Sequence, residues 1–157
     1  MQVTGALRTT RPMVAACLRC SGDAHQMSRA FLEVADWLKE RELPTHAWIG
    51  VFEDTPQSGT YVDPQTGRMN GEVRIPFEGD ARGDGRVEVR RFEEQTVASA
   101  MHREALSTIG ETVRGLRHWM HVQGLRGASH HLQIYLKVPG PAAESGWETE
   151  VQIPVLS

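Results

Sequence analysis

The sequence predicts an α+β protein in which eight strands form one antiparallel sheet and two helices pack on it, with pseudo-two-fold symmetry. Three observations lead to this fold class. Short segments alternate apolar and polar residues, as strands do; two longer segments repeat apolar residues at helical spacing; and the order strand, strand, helix, strand, strand occurs twice. A chain of 157 residues can bury the core of one such domain.

The first half of the chain is expected to hold four strands and one helix. The strands are predicted at residues 2–10, 12–20, 47–54 and 69–79. The helix follows the second strand, with Asp23 as its expected N-cap and Pro44 as its stop signal. Its apolar positions are Phe31, Val34, Ala35 and Leu38. A polar loop from Thr55 to about Arg68 separates the last two strands.

The second half is expected to repeat this order after a glycine-rich linker at residues 80–85. Its strands are predicted at residues 86–95, 96–104, 130–138 and 147–157. The helix is predicted within residues 106–125, with Val113, Leu116 and Met120 on its apolar face. Thr108 and Glu111 have the spacing of a capping box at its start.

The two halves correspond at a nearly constant offset. The matched pairs are Val14 with Val97, Trp37 with Trp119, Phe52 with Tyr135, and Glu72 with Glu150. We therefore interpret the chain as a tandem duplication, with repeats at residues 1–79 and 86–157 that build a single domain over residues 1–157.

The composition excludes several functional classes. Against 17 Lys and Arg stand 20 Asp and Glu, a formal charge of −3, so direct nucleic-acid binding is not expected. No uncharged apolar run approaches the roughly 20 residues that span a bilayer, and the first ten residues lack the apolar core of a signal peptide. We expect a cytoplasmic protein without membrane contact.

Two cysteines, Cys17 and Cys20, have the C-x-x-C spacing of some zinc and redox sites. Zinc needs four ligands and there is no second pair, and residues three apart on a strand point to opposite faces. His118 and His121 are three positions apart on a helix and could share a metal, but they lie with arginines on the face expected to be solvated. We expect ordinary thiols, no metal and no cofactor.

Alternation within the strands predicts a ligand groove. Glu150 and Glu72 are opposite to apolar residues that should pack under the helices, so both glutamates are expected on the other face of the sheet. By the same alternation Tyr135, Phe52 and Trp48 are expected on the face of the glutamates. Aromatic rings with a desolvated carboxylate attract apolar, positively charged molecules.

Other interpretations of these residues stay open at this point. A glutamate at the start of a strand is common on a solvated face, and Arg74 can neutralise Glu72. Trp119 lies at the edge of its helix's apolar stripe, where it is either part of the core or a wall of the groove.

The segments "FLEVADWLKERELPTHAWIGVFEDTP", "HLQIYL" and "GWETEVQIPV" resemble the GyrI-like small-molecule-binding domain over essentially the whole chain. That family includes effector-binding domains of AraC-type and drug-sensing transcription regulators and stand-alone DNA gyrase inhibitory proteins. The resemblance implies a pocket in which Glu150, with Tyr135 beside it, pairs with cationic ligands. Glu72 and Phe52 are the first-half equivalents, and Phe52 stands where a tyrosine is common.

Three functions follow from the resemblance as expectations. The first is the binding or sequestration of hydrophobic, often cationic small molecules, as in drug resistance, by Glu150, Tyr135, Trp48, Phe52, Trp119 and Glu72. The second is a hydrolase that opens cyclopropane-containing alkylating antibiotics, with Glu150 or Tyr135 as the catalytic group. The third is a protein contact with DNA gyrase or a transcription regulator.

The expected protein is the stand-alone form of the domain. The first strand begins within a few residues of Met1, so we expect no helix-turn-helix segment ahead of it. The edges of an open sheet would allow a homodimer to form.

Overall fold

A computed structural model describes residues 2–54, 61–140, 143 and 145–157 of the chain. Two helices and nine strands are present in these residues. The helices are α1 (Ala24–Glu40) and α2 (Ile109–Val122), and a single 3-10 turn, Leu106–Thr108, precedes α2. The strands are β1 (Ala6–Thr9), β2 (Met13–Gly22), β3 (Trp48–Glu53), β4 (Met69–Pro76), β5 (Glu88–Phe92), β6 (Thr96–His102), β7 (Arg126–Gly127), β8 (His130–Lys137) and β9 (Glu148–Leu156).

All strand pairs are antiparallel, and the sheet has the order β1-β6-β9-β8-β3-β4-β2-β5. The short strand β7 pairs with β9 outside this path and was not expected from the sequence. The predicted α+β class, with two helices and eight strands in order, is therefore confirmed. Both halves follow the predicted order of elements, and the duplication that would explain it stays a prediction.

The start of α1 is fixed by the predicted residue. The Asp23 carboxylate accepts a hydrogen bond from the backbone N–H of Gln26, and the Gln26 side chain accepts one from the backbone N–H of Asp23. This capping box satisfies two backbone donors that the first turn of a helix leaves unpaired. The helix ends at Glu40, and Arg41, three residues before Pro44, is its C-cap.

The capping box predicted for α2 is wrong. Thr108 is the N-cap, but its side chain makes no cap hydrogen bond. The Thr108 hydroxyl instead lies 3.2 Å from Nε2 of His102 and donates to the carbonyl oxygen of Ala105. The Thr108 hydroxyl therefore contacts His102 of β6 instead of a backbone N–H in the first turn of α2. The spacing of Thr108 and Glu111 does not reveal this tertiary contact.

Each helix covers a different part of the sheet. Helix α1 packs on β2 and β4, and α2 packs on β6, β7 and β9. Two separate core clusters result, one built around Val34 and Leu38 of α1 and the other around Leu116 and Met120 of α2. The central strands β3 and β8 pair with each other between these two regions. The helix-bearing face of the sheet therefore has a gap above its two central strands.

No helix in the described part of the chain is long and apolar enough to cross a membrane. The predicted polar loop between β3 and β4 begins at residue 55, and its residues 55–60 lie outside the described residues. In the loop before β9 the same holds for residues 141, 142 and 144.

Candidate functional site: an aromatic cleft above the central strands

A cleft with a volume of about 900 Å³ occupies the gap between the helices. Its walls come from α1, the end of the β3–β4 connection and the 3-10 turn, and its floor comes from β3 and β8. Lining residues include Met27, Phe31, Leu32, Trp48, Phe52, Tyr61, Leu106, Gln133, Tyr135 and Trp147. No Asp, Glu, Lys or Arg is among the lining residues in the described ranges. The cleft is large enough for a drug-sized ligand and mainly apolar.

The aromatic rings of the cleft pack against one another. Phe31 of α1 stacks on Trp48 with ring centroids 5.2 Å apart and an interplanar angle of 8°. Tyr135 meets Phe31 edge-on, with centroids 5.8 Å apart. Phe52 and Tyr61 lie 4.9 Å apart in a tilted arrangement. Such contacts hold the rings in fixed positions, so the cleft presents a preformed surface for flat ligands.

Gly50 makes room for the floor of the cleft. It lies between Trp48 and Phe52 on β3, where a Cβ atom would be 2.7 Å from the Phe52 ring and 3.1 Å from the Tyr135 hydroxyl. A side chain at this position would displace both groups. The glycine therefore serves close packing of the two rings that form the floor.

A continuous chain of hydrogen bonds runs below the cleft from Asp54 to Tyr135. Oδ1 of Asp54 is 3.0 Å from Nδ1 of His131, and Nε2 of His131 is 3.1 Å from Nε2 of Gln133. The Tyr135 hydroxyl donates to Oε1 of Gln133 over 2.8 Å. The other carboxylate oxygen of Asp54 forms an ion pair with Arg117 of α2.

Burial governs the ionisation of the two tyrosines at the cleft. It raises the pKa of Tyr135 well above the usual range, and the negative charge of ionised Tyr61 acts in the same direction. Burial also raises the pKa of Tyr61, although a hydrogen bond with the Gln133 side chain opposes it. Both hydroxyls are therefore protonated at any physiological pH.

The prediction that the two glutamates share a face of the sheet with the aromatic residues is wrong. Direct cross-strand partners lie on one face of a sheet, and the registers pair Glu72 with Val51 and Glu150 with Ile134. Trp48 pairs with Tyr135 on the opposite face. The glutamates do face away from the helices, as expected, but the aromatic residues face the helices.

The prediction failed because alternation fixes faces within one strand only. Strand β8 has apolar residues on both faces, and Leu132 and Ile134 were expected under the helices. They lie instead in a small cluster with Ile49 and Val51 on the face that bears the glutamates. The register of each strand pair, which alternation does not reveal, sets the relation between strands.

Both glutamates are buried and already have charged partners. Oε2 of Glu150 accepts hydrogen bonds from Arg8, Ser99 and Gln152 at 2.8–2.9 Å. Oε2 of Glu72 accepts from Arg74 and Arg90. Each of the two residues is 5% exposed. One oxygen of each carboxylate is thus paired within the sheet, on the side away from the cleft.

Replacing Glu150 by glutamine is expected to lower stability without changing the affinity of the cleft. The neutral amide keeps the shape of the side chain but weakens the charge-assisted bonds from Arg8 and Ser99, which should cost about 1–2 kcal/mol. Urea denaturation and a ligand titration on the same protein would measure the two effects. A fall in affinity for cations with unchanged stability would instead restore Glu150 as a ligand contact.

Of the six residues predicted to bind ligand, three meet in the cleft: Tyr135, Trp48 and Phe52. Glu150 and Glu72 lie on the other face. Trp119 is not among the described lining residues and packs at the α2 cluster, where a Cβ atom at Gly5 would be 2.6 Å from its ring.

Several cleft residues escaped the sequence reasoning. Phe31 was identified as a core position of α1, and its ring also forms part of the cleft wall. Gln133 lies two residues before Tyr135 on β8, so alternation places both on the same face. That position alone did not indicate a role in the cleft. Tyr61, Trp147 and Asp54 lie in or next to loops, where no periodicity predicts what they contact.

The cysteines lie on opposite faces of the sheet, as expected. Cys17 is cross-strand from Arg74, on the face of the glutamates, whereas Cys20 packs against the α1 cluster. Both are free thiols. Burial, assisted by the charge of Glu72, raises the pKa of the Cys17 thiol to about 11. Cys17 is thus held in its unreactive protonated form.

Comparisons with known proteins show a match to a sequence family and similarity to solved structures of the same fold. Residues 7–156 match the family described as the GyrI-like small molecule binding domain. No curated protein sequence matches the chain.

Three solved structures illustrate the fold. The EcmrR C-terminal domain has a TM-score of 0.82 and 14% identity, covering 100% of this chain and 99% of that one. A hydrolase encoded by lin2189 from Listeria innocua has a TM-score of 0.71 and 19% identity, covering 99% and 93%. SAV2435 bound to tetraphenylphosphonium has a TM-score of 0.57 and 11% identity, covering 98% and 94%.

Proposed function

The chain belongs to the GyrI-like small molecule binding domain family, and from this premise we propose that its cleft binds flat, apolar, aromatic small molecules. The observation that carries the proposal is the cleft itself. A volume of about 900 Å³ is bounded by stacked aromatic rings, and the described lining contains no charged Asp, Glu, Lys or Arg side chain. Such a surface gains free energy mainly by removing apolar area of a ligand from water.

The proposal differs from the cation-binding groove expected from sequence. The two glutamates that were to supply the counter-charge are paired with arginines on the far face of the sheet. Rings such as Trp48 attract cations through their π-electrons, worth about 0.5–2 kcal/mol. SAV2435 is known bound to a phosphonium cation, but in this chain a cation gains only the ring contribution. We therefore expect no strong preference for cations over neutral aromatic compounds.

Tryptophan fluorescence tests this proposal, since Trp48 and Trp147 line the cleft whereas Trp37 and Trp119 do not. Saturable changes in fluorescence with neutral aromatic compounds, and similar affinities for cationic analogues of equal size, are the expected results. Saturable binding of cations alone would contradict the proposed selectivity. Absence of binding by either class would contradict the proposal as a whole.

Filling the cleft is expected to weaken ligand binding. Ser28 lies on α1 at the wall of the cleft and its side chain is exposed. A phenylalanine there would occupy space needed by a ligand, so Ser28→Phe should reduce affinity at least about tenfold, because the lost apolar burial exceeds 1.4 kcal/mol. Isothermal titration calorimetry measures this loss.

The matched control is Arg29→Phe, which places the same ring on an exposed position of α1 that does not line the cleft. Its affinity should equal that of the wild type. Equal losses in both variants would show that the ligand binds elsewhere or that helix α1 is disturbed in general.

Of the two catalytic groups expected for the hydrolase alternative, Tyr135 lines the cleft. Glu150 lies on the opposite face of the sheet. The structural similarity to a hydrolase from Listeria innocua concerns the fold. A product heavier than its cyclopropane-containing substrate by one water, formed in excess over the enzyme, would revive this function with other residues. Interaction with DNA gyrase or a transcription regulator stays a prediction.

A further inference from the structure

We propose that Asp54 and His131, which are not among the described residues lining the cleft, set the hydrogen-bonding preference of the cleft floor, so that the site selects aromatic ligands carrying an N–H or O–H donor. The inference rests on the proposed binding function and specifies the ligand class. Its physical basis is the hydrogen-bond chain from Asp54 to Tyr135, in which each group restricts the role of the next.

The chain starts with a group that can only accept. The carboxylate of Asp54 is paired with Arg117, whose guanidinium has donors only. The proton between Asp54 and His131 must therefore belong to Nδ1 of His131, which donates to the carboxylate. In a neutral imidazole with a proton on Nδ1, the other nitrogen, Nε2, is an acceptor.

The hydrogen bond between Asp54 and His131 fixes the donor and acceptor roles of His131 Nε2 and the Gln133 amide. His131 is fully buried, so water cannot supply the donor that its Nε2 requires. Among the described residues, the amide N–H of Gln133, at 3.1 Å, is the donor available to it. The Gln133 oxygen consequently points toward Tyr135 and accepts from the tyrosine hydroxyl. Gln133 is itself 2% exposed and has no freedom to turn toward solvent.

The Tyr135 hydroxyl is the last group in this series and the one that faces the cleft. Because the single proton of the Tyr135 hydroxyl is donated to Gln133, the polar feature that Tyr135 offers a ligand is a lone pair of its oxygen. The Tyr61 hydroxyl, which also lines the cleft, makes its own hydrogen bond with the Gln133 side chain. Ionisation does not change this, since burial keeps the hydroxyl protonated. A ligand N–H or O–H satisfies the lone pair, whereas an acceptor such as a pyridine nitrogen would face another acceptor.

Replacing Asp54 by asparagine should reverse the direction of every hydrogen bond from residue 54 to Tyr135. Arg117 needs an acceptor, so the Asn oxygen would face it and the Asn amide N–H would face His131. Nδ1 of His131 would then accept and its Nε2–H would donate to the Gln133 oxygen. With the Gln133 amide turned over, its N–H would donate to the Tyr135 oxygen, which frees the tyrosine proton for a ligand acceptor.

The experiment compares three aromatic probes of similar size: indole, which donates; quinoline, which accepts; and naphthalene, which does neither. Wild-type protein should bind indole about three- to tenfold more tightly than naphthalene, and quinoline no better than naphthalene. Asp54→Asn should exchange the ranks of indole and quinoline. Asp36→Asn, which removes an exposed carboxylate of α1, should leave the ranks unchanged. Tyr135→Phe should remove the preference.

A measurement that needs no ligand tests this inference separately from the proposed binding function. In ¹⁵N-detected NMR of the histidine rings, with His131→Gln to assign the signals, wild-type His131 should carry a proton on Nδ1 and none on Nε2. Asp54→Asn should move that proton to Nε2. A wild-type proton on Nε2, or a tautomer and ranking unchanged in Asp54→Asn, would overturn the inference. Failure of all three probes to bind, with the expected tautomers observed, would overturn the proposed function instead.

Discussion

Replacing Gly71 by alanine is expected to destabilise the protein by about 3 kcal/mol or more, which is at the upper end for overpacking in a rigid site. A Cβ atom at Gly71 would lie 1.8 Å from the backbone oxygen of Val51 and 3.2 Å from Cα of Phe52. Both atoms belong to the backbone of the neighbouring strand and cannot turn aside as a side chain would. The pairing of β3 with β4 must open instead.

The consequence extends to the cleft, because Phe52, the direct partner of Gly71, forms part of its floor. Chemical denaturation should therefore show a lower midpoint for Gly71→Ala, accompanied by weaker ligand binding. Gly110→Ala is the matched control, since its nearest neighbour is a flexible arginine atom 3.5 Å away and alanine favours a helix. A stability of Gly71→Ala equal to that of the control would mean that the two strands are not packed as described.

The second large effect is expected at Glu72. Its carboxylate joins Arg74 of the same strand and Arg90 of β5, and the Arg74 side chain is only 14% exposed. Removing the negative charge leaves two arginines close together without compensation. Glu72→Gln should cost about 3 kcal/mol, as when one partner of a buried ion pair is removed.

Binding measurements decide what this glutamate does. Since it faces away from the cleft, Glu72→Gln should retain wild-type affinity for neutral and cationic aromatic compounds alike when measured well below its denaturation midpoint. Glu88→Gln removes an exposed carboxylate of β5 and should change stability by less than about 0.5 kcal/mol. A stable Glu72→Gln variant that selectively loses cations would return this residue to the ligand site.

The nature of the candidate site could be predicted from sequence only in part. Three aromatic residues of the cleft, Trp48, Phe52 and Tyr135, were identified because they alternate with clearly apolar neighbours in two central strands. The carboxylate partner was not correctly placed, since β8 has buried residues on both faces and its alternation was ambiguous. Asp54 could not have been found, because it follows the last residue of β3 and contacts His131 across 77 positions of sequence.

By itself, the sequence determined the local elements of this protein: the amphipathic stripe and N-cap of α1, the strands and their alternation, and the α+β class. These depend on interactions between residues a few positions apart, which a linear pattern records. Only the tertiary structure decided which faces of neighbouring strands coincide, and so which side chains share the cleft. That outcome follows from the hydrogen-bond register between distant strands, where a shift of one residue turns every side chain to the other face.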